Sequence, residues 1–339
     1  MKRVRWGILG TASIAKEAVI PAMLKPRYRE HLEIIGIASR DLAKAQTVAA
    51  TFGIGRAFGS YESLLSEESV DAVYIPLPNH LHVPYGVLAL EAGKHVLCEK
   101  PIALSANQAE ELGRAAGDHS HLKIMEAFMY RHHPQWQWAM RVIREGRIGD
   151  VRTVHSCFYF YDDNPAGILH HPEWGGGCLM DIGCYSVSLS RLLFQAEPVH
   201  VSAIIEVDPE SGVDRSISGT MEFRAGIASF TCSTLLNPFQ RVSVFGTRGR
   251  LELDLPFNPP TDRAHHALLE ADGVVDCIQF DICDQYGIQA DLFSRAIRAD
   301  TDVPTPIHDA IANMRVIEAL VRSGHKRYLP HAATVPSIG

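Results

Sequence analysis

The chain has 339 residues, of which 46% are hydrophobic and 21% charged, and a formal net charge of −7 spread without long runs of one sign. That length suits two domains with ordinary cores, and the acidic balance excludes the basic stripe a nucleic-acid binder needs. No apolar run approaches the roughly 18–20 residues of a membrane span, and the seven cysteines form no CxxC pair, so a reduced, soluble protein of the cytoplasm is expected. The N-terminus runs straight into a strand pattern, so no signal peptide is expected either. The histidines are scattered. His132-His133, His170-His171 and His265-His266 are adjacent pairs, and sequence neighbours rarely face one metal, so no metal site is expected.

Residues 4–9 read as a short buried strand, followed by Gly10-Thr11-Ala12-Ser13-Ile14-Ala15. Ile14, Ala15, Ala18, Val19, Ala22 and Met23 then recur at helical spacing. Strand, tight turn and helix is the context in which a dinucleotide fingerprint has meaning. Gly10 permits the turn, the small Ala12 lets the backbone approach a pyrophosphate, and Ala15 allows close helix packing. The helix N-terminus supplies N–H groups for the phosphates. Two of the three fingerprint glycines are alanines, and a helix-packing turn without ligand is an equal reading of this motif alone.

Residues 33–38 form the second expected strand, ending in Ser39-Arg40-Asp41, and residues 42–52 a helix capped by Asp41 or Ser39. A carboxylate at this strand end would hold the ribose 2′-OH of NAD. A hydroxyl beside a guanidinium attracts a 2′-phosphate instead, which favours NADP over NAD. The competing reading makes Arg40 a solvated surface residue. A helix starts at Ser60, and residues 70–77 are a further buried strand ending in Pro78-Asn79-His80-Leu81-His82. The helix over 81–92 carries Pro84 in its first turn and Gly93 just past its end. Asn79 and His82 then lie at a second strand's carboxyl end, where cofactor contact is expected; taken singly, each reads as a cap or turn residue.

The apolar run 95–98 leaves through Glu99-Lys100-Pro101, which delivers a charged pair to the strand end where ligands of open α/β sheets gather. Ser105 and Gln108 form a capping box for a helix to about residue 117, and a strand over 122–128 closes the series. This alternation predicts a doubly wound parallel sheet over residues 1–128.

After Pro134 the pattern changes. A helix over 136–145 stops at Gly146, and strand-like runs follow at 151–161, 199–206, 216–223, 227–233, 242–245 and 251–253. Turns at 224–226 and 246–249 mark hairpins of a mostly antiparallel sheet in an α+β domain over 129–339. Late helices at 289–298 and 310–322 are expected to cover one face or return to the first domain. The open sheet face, with Phe and Val on alternate positions, is expected to mediate self-association. The dense stretch here is Trp174-Gly-Gly-Gly-Cys-Leu-Met-Asp-Ile-Gly-Cys-Tyr185, leading into a helix to about residue 194. Asp181 and Tyr185 are four apart and share a helix face. Taken singly, they read as a first-turn dipole partner and a core aromatic.

In combination, Gly7-Ile-Leu-Gly10-Thr-Ala-Ser-Ile-Ala15, Pro78-Asn79-x-x-His82, Gly93-Lys-His-Val-Leu-Cys-Glu-Lys-Pro101 and Gly175-Gly-Gly-x-x-x-Asp-x-Gly-x-Tyr185 resemble the Gfo/Idh/MocA family of oxidoreductases. Met125-Glu-Ala-Phe-Met-Tyr-Arg131 with His133-Pro134 is similar to its branch of NADP-dependent D-xylose 1-dehydrogenases and trans-dihydrodiol dehydrogenases. The resemblance implies a Rossmann domain followed by an open-sheet domain, with substrate between them and a homodimer or homotetramer formed through the second sheet. It implies a cofactor, NADP before NAD, held by Gly10, Thr11, Ala12, Ser13, Ile14, Ser39, Arg40, Pro78, Asn79, His82, Glu99 and Lys100. It makes Lys100 the catalytic lysine and Asp181 the pocket acid, with Tyr185 at a position held elsewhere by histidine.

Oxidation of a C–OH group needs a base for the proton as hydride leaves. Free tyrosine titrates near 10, so the Lys100 ammonium is expected to lower Tyr185 by ~2–3 pH units; which of the two accepts the proton stays open. Relatives often read Asn-Ile-Arg before the glycines, where this chain has Gly167-Ile168-Leu169. Polar substrate contacts are thereby lost, and Tyr159, Tyr161 and Trp174 are expected to line a different pocket. The function expected is hydride transfer between NADP and a C–OH/C=O of a sugar, polyol or vicinal diol. The alternatives are a keto-sugar reductase of the anhydrofructose type and a non-catalytic sugar or NADP sensor.

Overall fold

The computed structural model describes residues 2–324. Its first sheet holds β1 (Val4–Leu9), β2 (Leu32–Ala38), β3 (Arg56–Phe58), β4 (Ala72–Ile75), β5 (His95–Cys98) and β6 (Ile124–Glu126) in the order β3-β2-β1-β4-β5-β6. Every pairing is parallel. The direction of winding reverses between β1 and β4, and a crevice opens outside the strand ends at such a switch point. The sequence specifies this sheet through short, continuous apolar runs. All four residues of β4 are buried, which suits a strand covered on both faces.

The crossovers are a π turn (Ala15–Val19) running into α1 (Ile20–Met23), then α2 (Leu42–Phe52), α3 (Tyr61–Leu65), α4 (His82–Glu91) and α5 (Ala106–Asp118). Their starts are set by side-chain caps. Asp41 accepts from the Ala43 and Lys44 N–H groups at 3.0 and 3.3 Å, and Ser105 from Gln108 N–H at 3.2 Å.

The second sheet contains β7 (Val151–Tyr161), β8 (His200–Val207), β9 (Asp214–Phe223), β10 (Gly226–Ser233), β11 (Leu235–Gly246), β12 (Gly249–Leu253), β13 (His265–Ala271) and β14 (Val274–Phe280). The order is β14-β13-β12-β11-β7-β10-β9-β8, antiparallel except for β7 with β10. Both expected hairpins form. The β13–β14 hairpin was not expected, although its turn carries a hairpin signal. Asp272 and Gly273 adopt φ of 51° and 78°, the left-handed pair an Asp-Gly turn supplies.

α6 (Pro134–Arg144) and α7 (Cys184–Phe194) pack on the inner face of this sheet. The late helices divide. α8 (Gln285–Ala299) returns to the first sheet, where Ser294 accepts from Trp6 Nε1 at 3.0 Å and Phe293 meets the Trp6 ring at 5.7 Å. α9 (Ile307–Gly324) packs on α5, α7 and β8, and Glu318 accepts from Ala106 N–H at 2.8 Å. The outer face of the second sheet stays open. It is lined by Ser202, Ser218, Thr220, Ser229 and Thr231, with Ile204, Ile227 and Phe239 exposed, and so is more hydroxylated than the expected Phe and Val alternation. No helix among the described residues is long and apolar enough to cross a membrane.

Candidate active site

Lys100 leaves β5 into a turn held on three sides. The Pro101 carbonyl faces His82 Nδ1 at 2.8 Å, and Ile102 N–H donates to Glu126 Oε1 at 2.7 Å. Glu99 accepts from the Tyr74 hydroxyl at 2.6 Å and from Lys100 N–H at 3.3 Å. The Lys100–Pro101 peptide is cis. Lys100 Nζ then crosses to the second domain and donates to the Asp181 carbonyl at 2.8 Å and to Asp181 Oδ1 at 3.0 Å.

Asp181 sits in a π turn, Leu179–Gly183, ahead of α7, and its carbonyl also accepts from Cys184 Sγ at 3.5 Å. A π turn breaks the regular helical ladder, and such turns recur at functional sites. Asp214 caps the segment, its Oδ2 accepting from Leu179 N–H at 2.7 Å. Gly177, at φ 101°, is required here, since a Cβ would fall 2.1 Å from Asp214 Oδ1. Gly175, at φ 81°, lies against Asn79, whose amide donates to the Gly175 carbonyl at 2.9 Å. Strand end and glycine loop are thus tied across the crevice.

Burial is the largest influence on the Lys100 ammonium and favours its loss of charge. Asp181 and the other acidic groups around it overcome burial and hold the pKa well above its ordinary value. Burial pushes the Glu99 carboxyl up. For Tyr185 the expectation reverses. Burial raises its hydroxyl well above 10.0, and Lys100 only opposes that rise. The geometry explains why. Nζ lies 5.1 Å from the Tyr185 ring centroid, while the hydroxyl turns toward Met129 Sδ at 3.5 Å. The ring is packed among Phe128, Phe158 and Phe257, with centroids 5.3–5.8 Å away.

Two connected crevices run along the strand ends. The first, of about 410 Å³, is lined by Gly10, Thr11, Ala12, Ser39, Arg40 and Pro78. Asp41, Lys44 and Tyr61 complete it. Lys44, in the first turn of α2, adds a second cation not expected from sequence, although it lies three residues after the Asp41 cap, which accepts its N–H at 3.3 Å. The Asp41 carboxylate is occupied by helix N–H groups, so Arg40 and Lys44 dominate the charge that this end presents. A dinucleotide with a 2′-phosphate fits that donor set. The second crevice, of about 610 Å³, continues from Ala12, Ile14, Pro78 and Asn79 past Glu99 and Lys100 to Asp181 and Tyr185.

Five expected residues lie elsewhere. His82 is fully buried and its ring nitrogens face the Pro101 and Leu77 carbonyls, so it braces two strand-end loops and lines neither crevice. Ser13 is exposed on the first helical turn and lines neither crevice. Tyr159 and Tyr161 point to the outer face of β7, where Tyr159 stacks on Phe239 at 6.4 Å and Tyr161 is 59% exposed. Side chains alternate along a strand, so Phe158 and Phe160 face the crevice in their place. Trp174 stacks on His171 at 3.9 Å and lies outside the crevice lining. Ile168, Asn258 and Tyr286 also line the crevice. Asn258 and Tyr286 come from distant segments with no local sequence signal. Among the described residues no group of three or more His, Cys, Asp or Glu is placed to hold a metal.

Comparison with known proteins agrees with this architecture. Residues 4–127 match a model described as an oxidoreductase family with an NAD-binding Rossmann fold, and residues 136–252 match the GFO/IDH/MocA C-terminal domain. The chain is 39% identical over 320 residues to an NADP(+) D-xylose 1-dehydrogenase of Haloferax volcanii, covering 94% of this chain and 96% of that protein. It is 33% identical over 260 residues to trans-1,2-dihydrobenzene-1,2-diol dehydrogenase of Mus musculus, covering 76% of each. Among solved structures, a 3-ketoreductase from Actinomadura kijaniata in complex with NADP and TDP-benzene superposes with a TM-score of 0.88. That pair shares 28% identity, over 95% of this chain and 98% of the other.

Proposed function

The chain belongs to the Gfo/Idh/MocA family of oxidoreductases, and from that premise we propose that it is an NADP-dependent enzyme moving hydride to or from a C–OH/C=O carbon of a sugar, polyol or vicinal diol. The observation that carries the reading is Lys100 Nζ, pinned on the backbone carbonyl and Oδ1 of Asp181 within a crevice continuous with the Gly10 turn. NADP(H), when bound, supplies or accepts the hydride. Gly10 to Ala12 would hold its phosphates, Arg40 and Lys44 its 2′-phosphate, and Glu99 and Asn79 its nicotinamide half. Lys100 hydrogen-bonds the reacting oxygen and stabilises negative charge developing there, while Asp181 aims the ammonium. Lys100 or Tyr185 moves the proton.

One observation favours the reductive direction near neutrality. Lys100 and Tyr185 both keep their protons well above their ordinary pKa values. Both groups therefore carry their protons near neutrality, the state from which ketone reduction starts, while alcohol oxidation needs one of them deprotonated and is expected to accelerate as pH rises. This supports a keto-sugar reductase as the second reading. The test is NADP⁺ reduction, and ketone-dependent NADPH oxidation, on a panel of aldoses, polyols and cyclic diols with wild type and Lys100→Met. Activity on one class, lost in the variant while NADPH still quenches tryptophan emission, supports the enzyme. Tight NADPH binding with no turnover in either direction would move the assignment to a sensor.

The open face of the second sheet, with Ile204 74% exposed and Phe239 50% exposed, is further proposed to pair with a second copy in a homodimer or homotetramer. Sedimentation showing a monomer at every concentration would remove that proposal.

A further inference from the structure

We propose that Asp214 is a positioning residue for Lys100, holding the π turn of Asp181 at the depth from which the Asp181 carbonyl and Oδ1 meet the ammonium. Its effect on rate rests on the oxidoreductase reading; its effect on Lys100 does not. Of the two contacts to Lys100 Nζ, the shorter is to a backbone carbonyl, at 2.8 Å. A side chain can swing to follow its partner, but a carbonyl goes only where its segment is held. This segment is held two residues earlier. Asp214 Oδ2 accepts from Leu179 N–H at 2.7 Å and lies 3.1 Å from Cys178 Sγ. Gly177 passes so close to the same carboxylate that no side chain fits between them. Three successive residues are thus wrapped round one carboxylate.

The place of Asp214 is itself fixed. It begins β9, which lies between β8 and β10 in the sheet. The next residue, Arg215, donates from Nη2 to the Asp162 carbonyl at 2.9 Å, and its carbonyl accepts from Thr234 N–H at 2.9 Å. Asp214 lines neither crevice, so it acts through the turn. Held against Asp181, Lys100 keeps its charge although burial opposes it. If the turn slipped, Nζ would lose a hydrogen bond and its nearest carboxylate together, and burial would then weigh more heavily on it. Glu99, His82 and Tyr286 also face Lys100, from segments that Asp214 does not touch, as do Cys184 and Tyr185 from α7. Of these groups, Asp181 is the one carried by the turn that Asp214 caps.

The test reads Lys100 directly. Full-length wild type, Asp214→Ala and Asp214→Asn are acetylated briefly with acetic anhydride over a range of pH, and modification of Lys100 is followed by peptide mass spectrometry. In Asp214→Ala the pH at which Lys100 reactivity levels off is expected to fall by about 1 unit or more, which a mere gain in access would not cause. Its kcat is expected to fall about 10- to 100-fold, with KM and the NADPH dissociation constant changed only a few-fold. Asp214→Asn keeps an oxygen for Leu179 N–H and is expected to restore most of both. Asp214→Glu keeps a carboxylate one methylene further out and is expected to shift Lys100 in the same direction, which keeps the test valid should the Ala variant fail to fold. A Lys100 profile unmoved in the folded variants, or an Asn variant as impaired as Ala, would overturn the inference. Acetylation needs no turnover. A shifted profile in a protein without NADP-linked activity in either direction would therefore support the positioning role and overturn the oxidoreductase reading.

Discussion

The two ends of the crevice are built on opposite principles. The Gly10 to Arg40 end consists of loops at the carboxyl ends of adjacent parallel strands, with backbone N–H groups, exposed cations and open solvent. The end beyond Lys100 is made from one face of β7, a turn near residue 168 and single residues from distant segments, with an aromatic cluster beneath. One end suits a multiply charged, flexible ligand that brings its own counter-charges. The other suits a small body held by shape. Lys100 stands at the seam, and its ion pair with Asp181 joins the two. On the proposed reading the reacting atoms lie where polar recognition stops and apolar packing begins, which strengthens each charge interaction there.

If that division is correct, breaking the seam should abolish turnover and spare both ends. Lys100→Met is expected to lower kcat by about 10³-fold, with the NADPH dissociation constant, read by tryptophan quenching, changed only a few-fold. Breaking the charged end alone should move cofactor choice and nothing else. Arg40→Ala is expected to raise the KM for NADP⁺ by about 10- to 100-fold through loss of a charge-assisted hydrogen bond, while kinetics with NAD⁺ stay nearly constant. Lys44→Ala should act in the same direction and more weakly.

The brace behind the seam should matter less. Glu126 is 1% exposed, and Oε1 takes the Ile102 N–H. Glu126→Leu orphans that buried donor and is expected to lower kcat about 10-fold, whereas Glu126→Gln keeps an acceptor and most of the rate. Burial pushes the Glu126 carboxyl up to about 8, so an inflection near that pH in the wild-type profile should be missing in the Gln variant. The smallest effect concerns stability. Burial lowers His132 and His133, just after the first domain, to about 4 from 6.5. The unfolded chain binds their protons first as pH falls, so stability is lost progressively between pH 6.5 and 4, by roughly 2–3 kcal/mol for each histidine. Thermal melts of His133→Gln should show a shallower decline over that range.

The same division governs how much a sequence can disclose. Gly10 to Ala12, Ser39-Arg40, Pro78-Asn79 and Glu99-Lys100 each sit directly after an apolar run, so local pattern alone puts them at strand ends. Strand β7 is different. Alternation separates Phe158 and Phe160 from Tyr159 and Tyr161, yet which set faces inward is decided by α7 packing on the even-numbered side. The tyrosine hydroxyls pointed to the wrong face. His82 misled for a related reason. Its place after a strand end was legible, but its burial between two carbonyls depends on how α4 begins. The Lys100 ammonium is expected from sequence to lower the Tyr185 hydroxyl, and burial among the surrounding aromatic rings outweighs that charge.

The return of α8 to the first sheet bears on how the protein is made. Trp6, Ile8 and Met23 share one core with Ala290 and Phe293. During synthesis the nucleotide-binding half leaves the ribosome first, and domains in general fold as they emerge. Here that half has to wait with the indole of Trp6 uncovered until nearly three hundred residues have been translated. A messenger truncated after the first sheet would therefore yield an aggregation-prone fragment, and any slowing of translation in the later codons would lengthen the interval in which chaperones must shield it.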